Sequence, residues 1–215
     1  FQARLWQRNW LKFLSQLVYR TENKMQEECY FCKSNRLKKF KLDEKSGSFY
    51  KCKKCSLITL AKENIPIDQK EHYSSVYYDE NYSGRANIAE AFYYRLPIIE
   101  KFIKKDKKVL EVGAASGDFL NVLKTIGYSV NGVELSSRAV KKAKENYDIY
   151  INEGTLTSSN FTEGEFGAIL MYHVLEHIED PRCLLLEAHK KLENSGIIII
   201  EVPNPKSIDA LSKKL

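Results

Sequence analysis

No window of the sequence approaches 18 uninterrupted apolar residues, and the all-isoleucine run Ile197 to Ile200 is only strand-sized, which rules out a membrane-spanning helix. A continuous apolar h-region, the mark of a secretory signal, is missing from the first residues. Glycine is scarce at 10 and proline at 5, and no fixed period recurs, so collagenous, low-complexity and repeat architectures are excluded. Charge imbalance is small as well: a formal +6 with 29% charged residues argues against wholesale disorder. The 215 residues are 43% hydrophobic and 12% aromatic, ample for a packed core, and the length suits one large domain or one domain plus a small appendage.

The charge is concentrated. Between Lys33 and Lys54 nine Lys or Arg face only Asp43 and Glu44, a local +7 that leaves the other 193 residues at −1. The same segment holds Cys52 and is flanked by Cys29, Cys32 and Cys55. Cys29-x2-Cys32-x19-Cys52-x2-Cys55 has the spacing of a two-knuckle zinc ribbon. Each C-x2-C turn presents two thiolates, and four thiolates complete a closed tetrahedral site suited to structural zinc, with no open position for chemistry. Two disulfides are the alternative, but they need an oxidising compartment, and nothing here points to secretion. The expectation is a structural zinc site in a cytoplasmic protein. Cys183, in a helical pattern, is expected as a small buried apolar residue. No chemistry is assigned to His72 or His189.

Residues 1–24 carry Ala3, Trp6, Trp10, Phe13 and Leu17 on one helical face, with Arg4, Arg8, Lys12 and Arg20 making the segment basic. Such a helix packs on its own domain or a partner, lies on a membrane surface, or belongs to a non-native extension. The chain opens on Phe1, has Met25 as a candidate start, and stops soon after a strand, so a fragment is expected. A ribbon is expected over 25–60, and a Tyr-rich linker and helical cap over 61–105, with Pro97 at a kink or a junction between helices. The expected core spans 106–215. There the pattern predicts strands at 108–112, 129–133, 148–151, 166–171 and 196–202, and helices at 117–126, 137–146 and 181–192. Strands alternating with helices imply an α/β fold: a doubly wound, mostly parallel Rossmann-like sheet with a small N-terminal zinc ribbon.

The first βα crossover, Val109 to Leu120, reads as strand, tight turn, helix, the place where such sheets bind nucleotides. Gly113 and Gly117 permit close backbone approach, with the small Ala114, Ala115 and Ser116 between them. Glu134 closes the second strand 23 positions after Glu111, where a ribose-binding acid is expected. The turn lacks the G-x-G-x-x-G of a dinucleotide site, and the carboxylates of Glu111 and Asp118 would repel a pyrophosphate. They suit a ligand with an ammonium and a sulfonium, which favours S-adenosylmethionine over NAD.

The segment Val109–Pro205 resembles the class I S-adenosylmethionine-dependent methyltransferases. Similar motifs are Glu111-Val112-Gly113-Ala114-Ala115-Ser116-Gly117, Val133-Glu134-Leu135-Ser136, the run Phe166 to Pro181 containing Met171-Tyr172-His173-Val174-Leu175-Glu176-His177, and Gly196 to Pro205. The resemblance implies that Glu111, Gly113, Ala114, Ala115, Ser116, Gly117 and Phe119 surround the methionine part of the cofactor, and that Glu134 holds the ribose. It places Leu135 and Ser136 beside the adenine, with Gly154, Thr155 and Leu156 on its other side. Met171, Tyr172 and His173 would lie beneath the methionine. Ala115 stands where the family usually has a middle glycine, and two strands that normally follow the fifth are missing here.

His173, Glu176 and His177 are spaced i, i+3, i+4. A helical turn would gather them for pocket shaping, for proton transfer by His173, or for a metal. The zinc ribbon followed by Tyr77-Tyr78-Asp79-Glu80-Asn81-Tyr82 resembles methyltransferases acting on nucleotide-linked sugars, glycans and related small molecules, in which Tyr78 and Tyr82 would line the acceptor pocket. The expected reaction is methyl transfer to an oxygen or carbon of a small anionic acceptor. RNA methylation steered by the basic ribbon is the first alternative; a nucleotide-binding oxidoreductase and a non-catalytic scaffold are the others. The sequence carries no signal for oligomeric state.

Overall fold

The computed structural model describes residues 27–29, 31–41, 48–61, 92–178 and 180–203, and they fall into two compact units. The expected helix over 1–24, the Tyr-rich stretch with Tyr78 and Tyr82, and the first part of the helical cap lie outside the described residues.

The smaller unit is built on an antiparallel sheet of β1 (Leu37–Lys41), β2 (Ser48–Cys52) and β3 (Ile58–Leu60) in the order β1-β2-β3. Its two Cys-x2-Cys turns repeat one geometry. In the first, the Lys33 N–H donates to Cys29 C=O and the Cys29 N–H to Ser34 C=O; in the second, Ser56 donates to Cys52 and Cys52 to Leu57. Lys33 and Ser56, at the same place in each turn, both have positive φ, +56° and +63°.

Among the described residues the first element of the larger unit is a 3-10 turn, Tyr93–Arg95, running into α1 (Leu96–Phe102). Pro97 sits in the first turn of α1, where its missing N–H has no partner to lose, so it marks a junction between two helical segments. Then follow in chain order β4 (Lys108–Val112), α2 (Asp118–Thr125), β5 (Ser129–Glu134), α3 (Ser137–Tyr147), β6 (Ile151–Glu153), β7 (Phe166–Tyr172), a 3-10 turn (Leu175–His177), α4 (Pro181–Lys191) and β8 (Leu192–Glu201), of which Glu176–Arg182 group with the smaller unit. The five strands are all parallel, in the order β6-β5-β4-β7-β8. This is the α/β sheet expected from the alternating pattern. β4 and β7 are buried on both faces, so successive residues serve different cores. Val109, Ala168 and Leu170 pack with Phe119 and Leu123 of α2 and Ile99 of α1. Leu110, Val112, Ile169 and Met171 pack with Ala188 and Leu185 of α4.

Three expectations are corrected. The third strand starts at Ile151, not at Asp148, because Asp148 takes φ +49° to end α3 while the Asp148 and Ile149 N–H groups bond back to Lys144 and Ala143. The fifth strand starts at Leu192, pairing with Phe166 before a bulge restores register at Ala168–Ile197. Cys183 is exposed, not buried. It lies on the outward side of α4 with Leu186 and His189, one and two turns further on, while Ala188 faces the core.

Candidate cofactor crevice and cysteine centre

The carboxyl ends of β4, β5, β7 and β8 finish level with one another, and the chain diverges on either side of β4, with β5 and β6 to one side and β7 and β8 to the other. That divergence opens the crevice where open α/β sheets bind ligands. The β4–α2 turn forms its floor. Gly113 has φ +72° and Gly117 φ +73°, a region open to glycine without strain. A Cβ on Gly113 would come within 2.8 Å of Val174 Cγ2, so the turns after β4 and β7 need a glycine to approach so closely. Ala115 also has a positive φ, +47°, which a methyl group makes costly by about 1–2 kcal/mol. Ala115→Gly relieves that strain against about 0.4–1 kcal/mol of added chain entropy in the unfolded state. Thermal unfolding is therefore expected to show unchanged or slightly higher stability for this variant; a loss of more than about 1 kcal/mol would mean the strain is absent.

Glu134 explains why the turn holds that shape. Its Oε2 accepts the Ala115 N–H at 2.9 Å and its Oε1 accepts the Ser136 N–H at 2.9 Å. Burial pushes its carboxyl above the usual range, while these amides pull it down. Ser136 itself caps α3, its Oγ accepting the Ala139 N–H at 3.3 Å. Asp118 opens α2 and accepts from the Ser116 and Tyr147 hydroxyls.

Glu111 is 5% exposed, and its Oε2 is buried without a partner. Burial pushes its carboxyl up to about 8, against the pull of Arg95 and with Asp118 and Glu134 adding to the rise. A buried, unpaired carboxyl is costly to retain, so its presence is the strongest sign that a cationic ligand group belongs here. Ala114, Ser116, Phe119, Ser136 and Met171 are buried and support the crevice from beneath. Leu156 packs in the core with Val112 and Val133, so only its backbone joins Gly154 and Thr155 at the end of β6. Leu135 and Tyr172 are half-buried.

A second cluster closes the β7–β8 side, and sequence reasoning missed most of it. Glu201 Oε1 lies 3.0 Å from His173 Nε2, and accepts from Arg95 at 2.8 Å and from the Tyr94 hydroxyl at 3.0 Å. Arg95 is buried and lies 3.8 Å over the Tyr172 ring. Against the cost of burial, His173, Arg95 and Tyr94 hold Glu201 down to about 2. Glu201 had one legible signal, a carboxylate closing a strand at the same edge as Glu134. Arg95 had none.

His173 has φ +57°, outside the helical range, and the 3-10 turn begins only at Leu175. The regular spacing that would gather His173, Glu176 and His177 around a metal is therefore not formed. His177 Nε2 lies 3.9 Å from Glu176 Oε1. Among the described residues the group that can hold a metal is Cys29, Cys32, Cys52 and Cys55, with all four sulfurs within 4.8 Å of one another. Zn–S bonds of about 2.3 Å in a tetrahedron put sulfurs about 3.8 Å apart, and the Cys29–Cys55 and Cys32–Cys52 pairs stand at 3.6 and 3.5 Å. The Cys55 amide above all, with the Lys54 amide and neighbouring thiols, pulls Cys52 down to about 6 despite burial, as a metal-ligating thiolate requires.

A family model described as a methyltransferase domain matches residues 83–214. The chain belongs to the methyltransferase domain family. Its core has the Rossmann-like fold of a class I, S-adenosylmethionine-dependent methyltransferase. The chain is similar to a structure described as a SAM-dependent methyltransferase from Archaeoglobus fulgidus, at 25% identity and a TM-score of 0.51 over 63% of this chain and 61% of that one. A Pyrococcus horikoshii protein shares the fold at 21% identity and a TM-score of 0.50, covering 60% of each chain. Among curated methyltransferases, the ubiquinone biosynthesis O-methyltransferase of Thiobacillus denitrificans is 25% identical over 107 residues, 46% of this chain and 45% of that protein. The ribosomal protein L11 methyltransferase of Prochlorococcus marinus is 27% identical over 117 residues, 50% of this chain and 38% of that protein. The chain thus spans less than half the length of these curated relatives. Among the described residues no helix is long and apolar enough to cross a membrane.

Proposed function

We propose that this chain transfers the methyl group of S-adenosylmethionine to an oxygen or carbon of a small anionic acceptor, such as a nucleotide-linked sugar or glycan precursor. The observation that carries the reading is Glu111: a buried carboxyl with a free oxygen beside the Gly113–Gly117 turn, suited to an ammonium. When bound, S-adenosylmethionine would supply an activated methyl on a sulfonium. Glu111 holds the ammonium, the backbone of 113–117 shapes the methionine cradle, and Glu134, already oriented by two amides, accepts the ribose hydroxyls. Leu135, Gly154 and Thr155 flank the adenine. Tyr172 and His173 face the methionine side, where alignment of the acceptor does most of the work. His173 takes a proton from the acceptor where one must leave, and the Glu201 carboxylate stabilises the imidazolium that results. The ubiquinone enzymes similar in sequence act on oxygen, by their name, which supports an oxygen acceptor. Cys29, Cys32, Cys52 and Cys55 hold structural zinc.

The test incubates the chain with methyl-tritiated S-adenosylmethionine and either a panel of nucleotide-linked sugars or total RNA. Label in the sugar fraction supports the reading, and label only in RNA replaces it with the RNA alternative. A pH effect follows from Glu111. Its folded-state carboxyl, near 8, is mostly protonated at pH 7, and an ammonium ligand needs it ionised. Binding of S-adenosylhomocysteine should release close to one proton at pH 7 and tighten as pH rises toward 8, by less than about tenfold per unit. For the unliganded protein the sign is opposite: folding protects the protonated carboxyl, so this group's contribution to stability is lost between about 4.5 and 8 as pH rises. Calorimetry in buffers of different ionisation enthalpy reads the proton count; a count of zero, unchanged by Glu111→Gln, would remove Glu111 from the ammonium role.

A further inference from the structure

We propose that one face of the β1–β2 hairpin is a docking surface for the sugar–phosphate backbone of single-stranded RNA. The inference goes beyond the acceptor reading, because RNA can dock there whether or not it is methylated. It rests on the hairpin register. Lys38 stands directly opposite Lys51, and just past the strand ends the Lys53 N–H donates to the Arg36 C=O at 2.8 Å, which holds these two residues side by side. Lys38 and Lys51 form one cationic row on a face of the hairpin, and Arg36 and Lys53 add two more cations just past the strand ends. The next row on that face is Phe40 opposite Phe49, their ring centroids 5.8 Å apart, and Ile58 of β3, opposite Lys51, is 42% exposed.

All four cations are exposed, and none forms an ion pair among the described residues. Of the ribbon's other described cations, Lys33 pairs with Glu28 at 3.3 Å and Lys39, on the opposite face, lies 5.7 Å over the Tyr50 ring, while Lys41 and Lys54 are exposed like these four. Like charges directly across an antiparallel pair are destabilising, and Lys38 and Lys51 are placed that way. Solubility calls for charge but not for like charges set face to face. An anion laid across them offsets the repulsion.

The shape of the surface selects the anion. An exposed lysine gains little from a lone phosphate in salt water. A polyanion that contacts several cations at once gains from the release of its condensed counterions. A strand laid past these cations brings a base to the edge of Phe40, which is half-buried and offers a stacking platform.

The test follows fluorescence anisotropy of a labelled short oligouridylate mixed with the zinc-loaded full chain over a series of salt concentrations. Four backbone contacts predict a slope of log affinity against log salt near −2.8, from about −0.7 per contact. Lys38→Ser/Lys51→Ser should lower affinity about tenfold and flatten the slope by about 1.4, whereas the α1 variant Lys101→Ser/Lys104→Ser, at the end of α1 and just beyond it, should change neither. The proposal is overturned if the ribbon variant binds as tightly as the parent chain, if the α1 variant loses as much, or if oligothymidylate or phosphatidylserine vesicles bind better than RNA. S-adenosylhomocysteine affinity, measured on the same samples, reports separately on the methyltransferase reading, and both variants should retain it.

Discussion

Glu134→Ala is expected to weaken S-adenosylhomocysteine binding by a hundredfold or more while the chain remains folded. A carboxylate holding two ribose hydroxyls contributes two charge-assisted hydrogen bonds of about 1.5–3 kcal/mol each, and about 2.8 kcal/mol is already two decades of affinity. A second loss adds to this. Glu134 also receives the Ala115 and Ser136 amides, so its removal frees a turn held partly in left-handed backbone. Glu134→Gln separates the two roles. The amide keeps one oxygen acceptor and the side chain's length, so the turn stays anchored on one side and binding should fall by nearer tenfold. If Glu134→Ala binds within threefold of the parent, the ribose assignment is wrong.

Removing zinc is expected to have the other large effect, confined to the ribbon. The described ribbon residues bury little apolar surface beyond Phe49, Tyr50, Ala61 and the cysteines Cys29 and Cys52, too small a core to offset the chain entropy of folding. Four clustered thiols without a metal cannot all ionise: Cys52 is drawn down to about 6, whereas Cys55 is pushed up to about 12 by burial and neighbouring thiols in spite of the Leu57 amide. A divalent cation resolves this, and its binding free energy, about 10 kcal/mol or more at neutral pH, becomes folding free energy for the ribbon. Chelation at pH 7 should therefore collapse the amide dispersion of β1–β3 while the signals of β4–β8 persist. Metal analysis should find one zinc per chain in the parent and none in Cys52→Ser. A ribbon that keeps its dispersion without metal would exclude the zinc assignment.

Much of the larger unit was legible because its signals are local. The apolar runs of β4 and β7, the Ser cap of α3, the glycines at positive φ and the carboxylate closing β5 all lie within a few residues of the feature they specify. The four cysteines were legible for a related reason, since each knuckle is a short turn with its own hydrogen-bond pattern. What escaped notice depends on distance or on detailed backbone geometry. Arg95 meets Glu201 across 106 positions, and no local pattern joins them. The start of β6 depended on how α3 ends, and Cys183 on which side of α4 faces inward. The His173–Glu176–His177 spacing was a sound helical signal that the left-handed backbone at His173 cancels.

The most direct measurement is calorimetric titration of the zinc-loaded chain with S-adenosylhomocysteine, with NADH as the control. The account predicts micromolar binding of S-adenosylhomocysteine, loss of that binding in Glu134→Ala, and no heat from NADH. Binding of NADH with none of S-adenosylhomocysteine would contradict it, because the acidic side chains of Glu111, Asp118 and Glu134 around the Gly113–Gly117 turn suit an ammonium and not a pyrophosphate.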